Sequence, residues 1–178
     1  LGINPIDEGN IQIPDKQDIG VVLSETGFSE FFTVSDIISI LKCTYKRFDE
    51  DLFHSYCQRF DIPLDKKTRT FSTGMKAKLN IIIALTHHAQ LLILDEPTAG
   101  LDVLTRDEIL DILRDYTEQE DCTILISSHI SSDLESLCDD LYIIDHGQII
   151  MHEEMDTLLS QYGVLKVSKE DYDNLDKD

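Results

Sequence analysis

The sequence is poor in basic residues. It has 15 Lys and Arg against 35 Asp and Glu, which gives its 178 residues a formal net charge of −20 at pH 7. Binding to a nucleic acid backbone requires clustered Lys and Arg that neutralise the phosphates. We therefore expect no nucleic acid among the partners of this protein.

Long hydrophobic runs are absent as well. No apolar stretch reaches the roughly 18 residues that a membrane-spanning helix needs, so we do not expect the chain to cross a membrane alone. The first residues, Leu-Gly-Ile-Asn-Pro, carry no basic segment of the kind that opens a secretory signal. The hydrophobic fraction of 42% nevertheless indicates a globular protein rather than a disordered one.

Cysteine is scarce, with four residues at positions 43, 57, 122 and 138. They form neither a C-x-x-C pair nor any spacing typical of metal ligands. We interpret them as free thiols of a protein from a reducing compartment.

Short apolar runs alternate with segments of helical spacing, which predicts an α/β fold with a parallel sheet covered on both faces. Strands are predicted at 10–13, 19–23, 91–94 and 123–126, and helices at 34–41, 49–60, 105–116, 131–137, 156–162 and directly after Ser72. The runs 141–144 and 148–151 flank Gly147 and predict a hairpin.

Polar side chains follow two of the predicted parallel strands. Asp95 and Glu96 come directly after one strand, and Ser127-Ser128-His129 come after the next. Ligands of open α/β sheets bind beyond the carboxyl ends of the strands, so we expect both groups to face one crevice. Two adjacent acids suit Mg²⁺ chemistry, since one can hold the metal while the other orients or deprotonates a water. The alternative is that Asp95 only caps the turn before Pro97.

The stretch 91–102, Leu-Leu-Ile-Leu-Asp-Glu-Pro-Thr-Ala-Gly-Leu-Asp, closely resembles the Walker B motif and D-loop of ATP-binding cassette (ABC) ATPases. Upstream, Phe-Ser-Thr-Gly-Met at 71–75 resembles the signature motif, and downstream Ser127-Ser128-His129 resembles the H-loop. The order and spacing match the family over about residues 1–163. The resemblance implies a P-loop NTPase (RecA-like) fold, a parallel sheet with a small α-helical subdomain.

The resemblance also implies an organisation in four segments. Residues 1–33 would be the N-terminal part of the RecA-like core with the Q-loop region, and 34–90 the helical subdomain with the signature helix. Residues 91–163 would continue the core with the Walker B, D-loop and H-loop motifs, and 164–178 would be an acidic tail.

Three residues take catalytic or metal roles by resemblance. Asp95 would hold Mg²⁺, and Glu96 would be the general base that polarises the attacking water. His129 would contact the γ-phosphate of ATP and hold the catalytic geometry.

Three further residues take binding roles by resemblance. Ser72 and Gly74 would contact the γ-phosphate bound on the opposite subunit, which suits a capped helix start with a glycine. Asp102 would couple the two nucleotide sites across a dimer interface. The alternative for Ser72 is an ordinary helix cap.

Three departures from the family pattern affect these expectations. Thr73 and Met75 replace a Gly and a Gln of the signature motif, in a form that resembles ABC-2 type exporters of antibiotics and peptides. Ser24 stands where the Q-loop glutamine is expected, and Glu25 next to it is a candidate metal or nucleotide contact. No G-x-x-x-x-G-K-[ST] occurs in the sequence, so we interpret the chain as lacking the N-terminal Walker A part and as inactive alone.

The function implied by the resemblance is that of the ATPase subunit of an ABC exporter. It would bind and hydrolyse MgATP as a head-to-tail homodimer or as a heterodimer with a related subunit, and drive a separate transmembrane permease. Such a subunit would be cytoplasmic, at the inner face of the membrane, and would touch the membrane only through the permease. The alternatives are a non-transport ABC ATPase and a degenerate regulatory module.

Overall fold

The computed structural model describes residues 6–23, 27–118, 122–161 and 163. Three parallel strands form one sheet in the order β1-β2-β3, namely β1 Ile19–Val22, β2 Leu91–Asp95 and β3 Thr123–Ser127. The helices are α1 Val34–Thr44, α2 Glu50–Arg59, α3 Thr73–Leu85, α4 Val103–Thr117, α5 Ser131–Leu137 and α6 Met155–Gln161, and an antiparallel pair consists of β4 Asp140–Asp145 and β5 Gln148–Glu154.

The parallel sheet and all the predicted helices are confirmed, and the predicted strand at 10–13 is wrong. In the described chain these residues are extended but belong to no strand. Their apolar side chains find no cover, since Ile11 and Ile13 are 60% and 49% exposed. Apolar alternation over four residues does not make a strand without a neighbour to pair with.

One face of the sheet packs closely against α3. A Cβ atom on Gly20 of β1 would lie 2.5 Å from Cδ2 of Leu92 and 2.7 Å from the carbonyl oxygen of Ala84. Glycine at this position therefore allows the helix to approach the strand. Leu92 and Leu94 of β2 are buried on the same face.

The opposite face departs from the prediction of a sheet covered on both sides. Val21 and Ile93 are only partly buried there, and Leu125 of β3 is 59% exposed. These side chains point away from α3, because successive residues of a strand alternate between the two faces, so α3 does not cover them.

The helices of residues 34–85 contribute many buried apolar side chains and begin at local caps. Buried residues of the three helices are Val34, Ile37, Ile38, Leu41, Phe53, Tyr56, Cys57, Leu79, Ile81, Ile82, Ala84 and Leu85. Side-chain caps begin the helices: Thr33 and Asp36 form a capping box at α1, Asp49 caps α2 and Ser72 caps α3. The four cysteines of the chain are free thiols, and burial raises the pKa of Cys57 to about 11.

The chain divides into two compact units, 1–133 and 134–178. The first holds the parallel sheet and the second holds the predicted hairpin, whose turn at His146 and Gly147 has φ values of 47° and 78°. The predicted boundaries at 33, 90 and 163 follow motifs rather than compactness and stay predictions, and the acidic tail 164–178 lies outside the described residues. No helix in the described part of the chain combines the length and the apolar character that crossing a bilayer requires.

Candidate active site

The ends of β2 and β3 meet as the sequence predicts. Asp95 and Ser127 are register partners, and the Ser127 hydroxyl donates a hydrogen bond of 2.7 Å to Oδ1 of Asp95. The backbone N–H of Glu96 lies 3.1 Å from both the carbonyl oxygen and Oγ of Ser127. The residue after the aspartate is thus held against the neighbouring strand.

Glu96 leaves the strand in an unusual backbone conformation. Its φ is 49°, in the left-handed region that residues other than glycine rarely adopt. Such residues cluster at functional sites, where the surrounding structure holds them in place. Here the turn is closed by a hydrogen bond of 3.1 Å from the Ala99 N–H to the Glu96 carbonyl oxygen.

The Glu96 carboxylate contacts His129, which follows β3. Oε2 of Glu96 lies 2.7 Å from Nδ1 of the imidazole and accepts a longer bond of 3.4 Å from the His129 backbone N–H. The imidazole is 69% exposed and the carboxylate-bearing side chain 33% exposed, so both are accessible to a ligand. The Asp95-Glu96 group and the Ser127–His129 group therefore lie next to each other at this edge of the sheet, and the roles predicted for their side chains stay predictions.

Asp95 and Glu96 also line a cleft of about 650 Å³. Its other walls include Thr73, Lys76 and Asn80 of α3. The volume is in the range of small-molecule sites, about 300–1,000 Å³. The Lys76 ammonium hydrogen-bonds the Glu30 carboxylate at 2.6 Å, and this bond holds the pKa of Glu30 below its usual value.

The residues with predicted roles at a dimer interface lie at the starts of α3 and α4. Ser72 is the N-cap of α3, and its Oγ accepts a bond of 3.2 Å from the Met75 N–H. Asp102 is the N-cap of α4, and its carboxylate accepts bonds from the N–H and the hydroxyl of Thr105 at 3.1 and 2.8 Å. These bonds lower the pKa of Asp102.

Gly74 and Asp102 are connected through Thr105. A Cβ atom on Gly74 would lie 2.9 Å from Cγ2 of Thr105, so glycine permits the start of α3 to pack against the start of α4. This is a structural reason for a glycine at 74 that the sequence alone did not indicate. Ser24 and Glu25 lie outside the described residues, and the predicted role of Glu25 stays a prediction.

Sequence reasoning missed a buried group behind this site. Thr98, Arg106 and Asp133 are joined by side-chain hydrogen bonds, and Thr98 and Asp133 are almost completely buried. No motif marks them, because Asp133 is one of many acids in the sequence and lies 35 positions from its threonine partner.

The sequence matches the models of two known protein families. The sequence model of the ABC transporter family matches residues 3–99, more than half of the chain. The chain belongs to the ABC transporter family. A second family model, of an AAA domain, matches residues 67–132.

Individual members of the ABC transporter family resemble this chain over much of its length. The ABC transporter ATP-binding protein YtrB of Bacillus subtilis is 31% identical over 147 residues, which cover 83% of this chain and 50% of YtrB. The lantibiotic transport ATP-binding protein SrtF of Streptococcus pyogenes is 45% identical over 94 residues, which cover 52% of this chain and 41% of SrtF. The chain thus spans about half the length of the curated relatives it matches.

A solved structure supports the same assignment. CbiO1 of Clostridium perfringens, described as part of the ABC transporter complex CbiONQ, superposes with a TM-score of 0.65 at 26% identity. The match covers 82% of this chain and 61% of CbiO1. The resemblance to ABC ATPases and the P-loop NTPase fold are therefore confirmed, and ATP is the ligand that the family implies.

Proposed function

We propose that the whole protein is the ATPase subunit of an ABC exporter, which hydrolyses MgATP at Asp95, Glu96 and His129. The observation that carries this proposal is the contact between Glu96 and His129 at the end of β2, beside Asp95. It combines a carboxylate with an accessible imidazole at the edge of the sheet where α/β folds bind ligands.

The residues present fit Mg²⁺. This ion is held by one or two carboxylates together with waters and substrate phosphates, and Asp95 offers such a carboxylate, oriented by Ser127. In the part of the chain that the structure describes, no cluster of three His, Cys, Asp or Glu side chains forms, so the phosphates themselves would complete the ligand set. Bound Mg²⁺ would neutralise charge on the phosphates.

Glu96 is placed to act as the general base, and His129 is placed to contact both Glu96 and a phosphate of the nucleotide. The carboxylate accepts a proton from water, and its strained backbone and bonded carbonyl group hold it at the mouth of the cleft. Nδ1 of His129 lies against the Glu96 carboxylate, which leaves Nε2 of the same ring to contact a phosphate oxygen. The two side chains thus orient each other.

The partners we propose are a second ATPase subunit and a transmembrane permease. Ser72 and Gly74 would contact the γ-phosphate bound on the opposite subunit of a head-to-tail homodimer or heterodimer, and Asp102 would couple the two nucleotide sites across the interface. The permease would bring the protein to the inner face of the cell membrane. Outward transport of an antibiotic or peptide is supported by the Ser-x-Gly-Met signature form and by the likeness to SrtF, whose name refers to lantibiotic transport.

The test is the substitution Glu96→Gln in the whole protein. We expect the ATPase rate to fall about 10²–10⁴-fold, as for loss of a general base, while binding of MgATP by calorimetry is retained. The matched control is Glu135→Gln, which changes an exposed glutamate of α5 and is expected to keep the wild-type rate.

Three outcomes would contradict the proposal. Undiminished hydrolysis in Glu96→Gln would remove the general-base role. A wild-type protein that binds MgATP without hydrolysing it would favour the regulatory module, and one that hydrolyses ATP but co-purifies with no permease would favour a non-transport ATPase.

A further inference from the structure

A buried carboxylate lies behind the candidate active site. Asp133 of α5 has a side chain with 0% exposure. Its Oδ2 accepts a hydrogen bond of 2.5 Å from the Thr98 hydroxyl, and its Oδ1 accepts one of 2.5 Å from Nε of Arg106 and a further contact from Nη2. Arg106 also donates to the hydroxyl of Ser132.

The three partners come from three segments that carry predicted site residues. Thr98 lies in the loop between Glu96 and Asp102, and Arg106 lies on α4, which Asp102 caps. Asp133 follows His129 by four positions, and its N–H bonds the Ile130 carbonyl oxygen at 3.1 Å. The buried group therefore connects the loop that follows Glu96 to the segment that contains His129.

These connections form a closed path of short links. From Glu96 the path runs through the turn 96–99 to Thr98, across the hydroxyl–carboxylate bond to Asp133, and through the turn at Ile130 back to His129. The bond between His129 and Glu96 completes it. That last bond is exposed, and exposed ion pairs contribute little by themselves.

The buried bonds are the ones able to hold this path in one geometry. A buried carboxylate is tolerated only when its oxygens are hydrogen-bonded and its charge is paired. Displacing the loop 97–102 from α5 would leave Asp133 without the Thr98 bond in a site that water does not reach. The loop and the start of α5 are thus expected to move together.

We propose that Asp133, through Thr98 and Arg106, is a positioning residue that sets the distance between Glu96 and His129. This inference rests on the proposed function, since positioning has a catalytic readout only if these two residues act on ATP. A purely structural residue would change the stability of the protein alone. A positioning residue is also expected to change kcat per folded molecule.

The test compares Thr98→Val with Thr98→Ser in the whole protein. Valine keeps the shape of threonine and loses the hydroxyl, whereas serine keeps the hydroxyl. We expect kcat to fall at least tenfold in the valine variant with KM for ATP within twofold of wild type, and kcat to stay within threefold in the serine variant. Rates are taken per folded molecule, well below the melting temperature of each variant.

A second readout does not depend on hydrolysis. Hydrogen–deuterium exchange in peptides covering 96–102 and 128–132 is measured without nucleotide, and Thr98→Val is expected to exchange faster there than Thr98→Ser and wild type. If the valine variant does not fold, Arg106→Lys, which keeps the charge and loses the planar donor pair, is expected to show the same two changes.

The outcomes separate this inference from the proposed function. Equal kcat in the valine and serine variants, or unchanged exchange in both peptides, would overturn the positioning role while leaving Glu96 as the base. Faster exchange with a wild-type protein that does not hydrolyse ATP would support the link between the two segments and overturn the proposed function instead.

Discussion

The helical region 34–85 and the site loops 95–106 and 127–133 are held together by different interactions. The helices pack through apolar side chains such as Ile37 and Phe53, which are fully buried, and their caps bond a residue three positions away. The loops are joined by polar side chains that lie 27 to 35 positions apart in the chain. The side-chain hydrogen bonds there involve charged and hydroxyl groups.

The helical region therefore contributes mainly to the stability of the fold, whereas the site loops set the geometry of the candidate active site. Apolar contacts are non-directional, so the helical region contributes free energy of folding without orienting any particular atom. Hydrogen bonds between buried polar groups are directional, and loss of one partner leaves the other buried group unsatisfied. We therefore expect substitutions in the two regions to affect different measurements.

The largest effect that would test this separation is expected for Phe53→Ala. Phe53 is 0% exposed, and truncating a buried phenylalanine costs about 3–5 kcal/mol of stability. The measurement is urea unfolding followed by circular dichroism. The control is Phe31→Ala, since Phe31 is 65% exposed and should change stability by less than about 1 kcal/mol.

The ATPase rate of Phe53→Ala is the second measurement in that experiment. Per folded molecule, Phe53→Ala in the whole protein should hydrolyse ATP at the wild-type rate, because the site loops are held by other bonds. A rate that falls in proportion to the lost stability would mean that the two regions are not separable.

A smaller effect is expected for Ser72→Ala, at the point where the regions meet. Ser72 caps α3 and is also predicted to contact ATP on the opposite subunit. Loss of the cap should cost about 1 kcal/mol, measured by urea unfolding, and Ser72→Thr should retain most of it. Sedimentation of the whole protein with ATP then decides the second role, since unchanged dimerisation in the alanine variant would mean that Ser72 is only a cap.

The smallest effect concerns pH and His87. Burial lowers the pKa of this imidazole, and Arg47 and His88 lower it further, against bonds to the Ile83 and Ile19 carbonyl groups that raise it. The unfolded chain therefore binds the proton more readily than the folded one. The stability from neutral His87 is present above pH 6.5 and is lost as the pH falls below that value.

Urea midpoints at pH 7.5 and 5.5 measure this effect. The loss of stability between the two pH values should be smaller in His87→Gln than in wild type, because glutamine does not titrate. An equal loss in both proteins would show that other groups account for the pH dependence.

Local rules were enough for most of the fold. The capping side chains, the helical spacing and the apolar runs each concern neighbours in the chain, and the predicted helix after Ser72 forms with that residue as its cap. The strand predicted at 10–13 failed because strand formation depends on a partner that lies elsewhere. The exposure of Leu125 likewise depends on tertiary packing, since its side chain lies on the face of the sheet opposite α3.

The sequence by itself determined that Asp95, Glu96 and His129 lie together, because parallel strands bring their carboxyl ends to one edge of the sheet. Only the tertiary structure decided what surrounds them. The burial of Asp133, its bonds to Thr98 and Arg106 and the packing of Gly74 on Thr105 join segments through the interior. Such contacts depend on how helices and loops pack, and no local pattern of residues distinguishes Asp133 from the exposed acids of the chain.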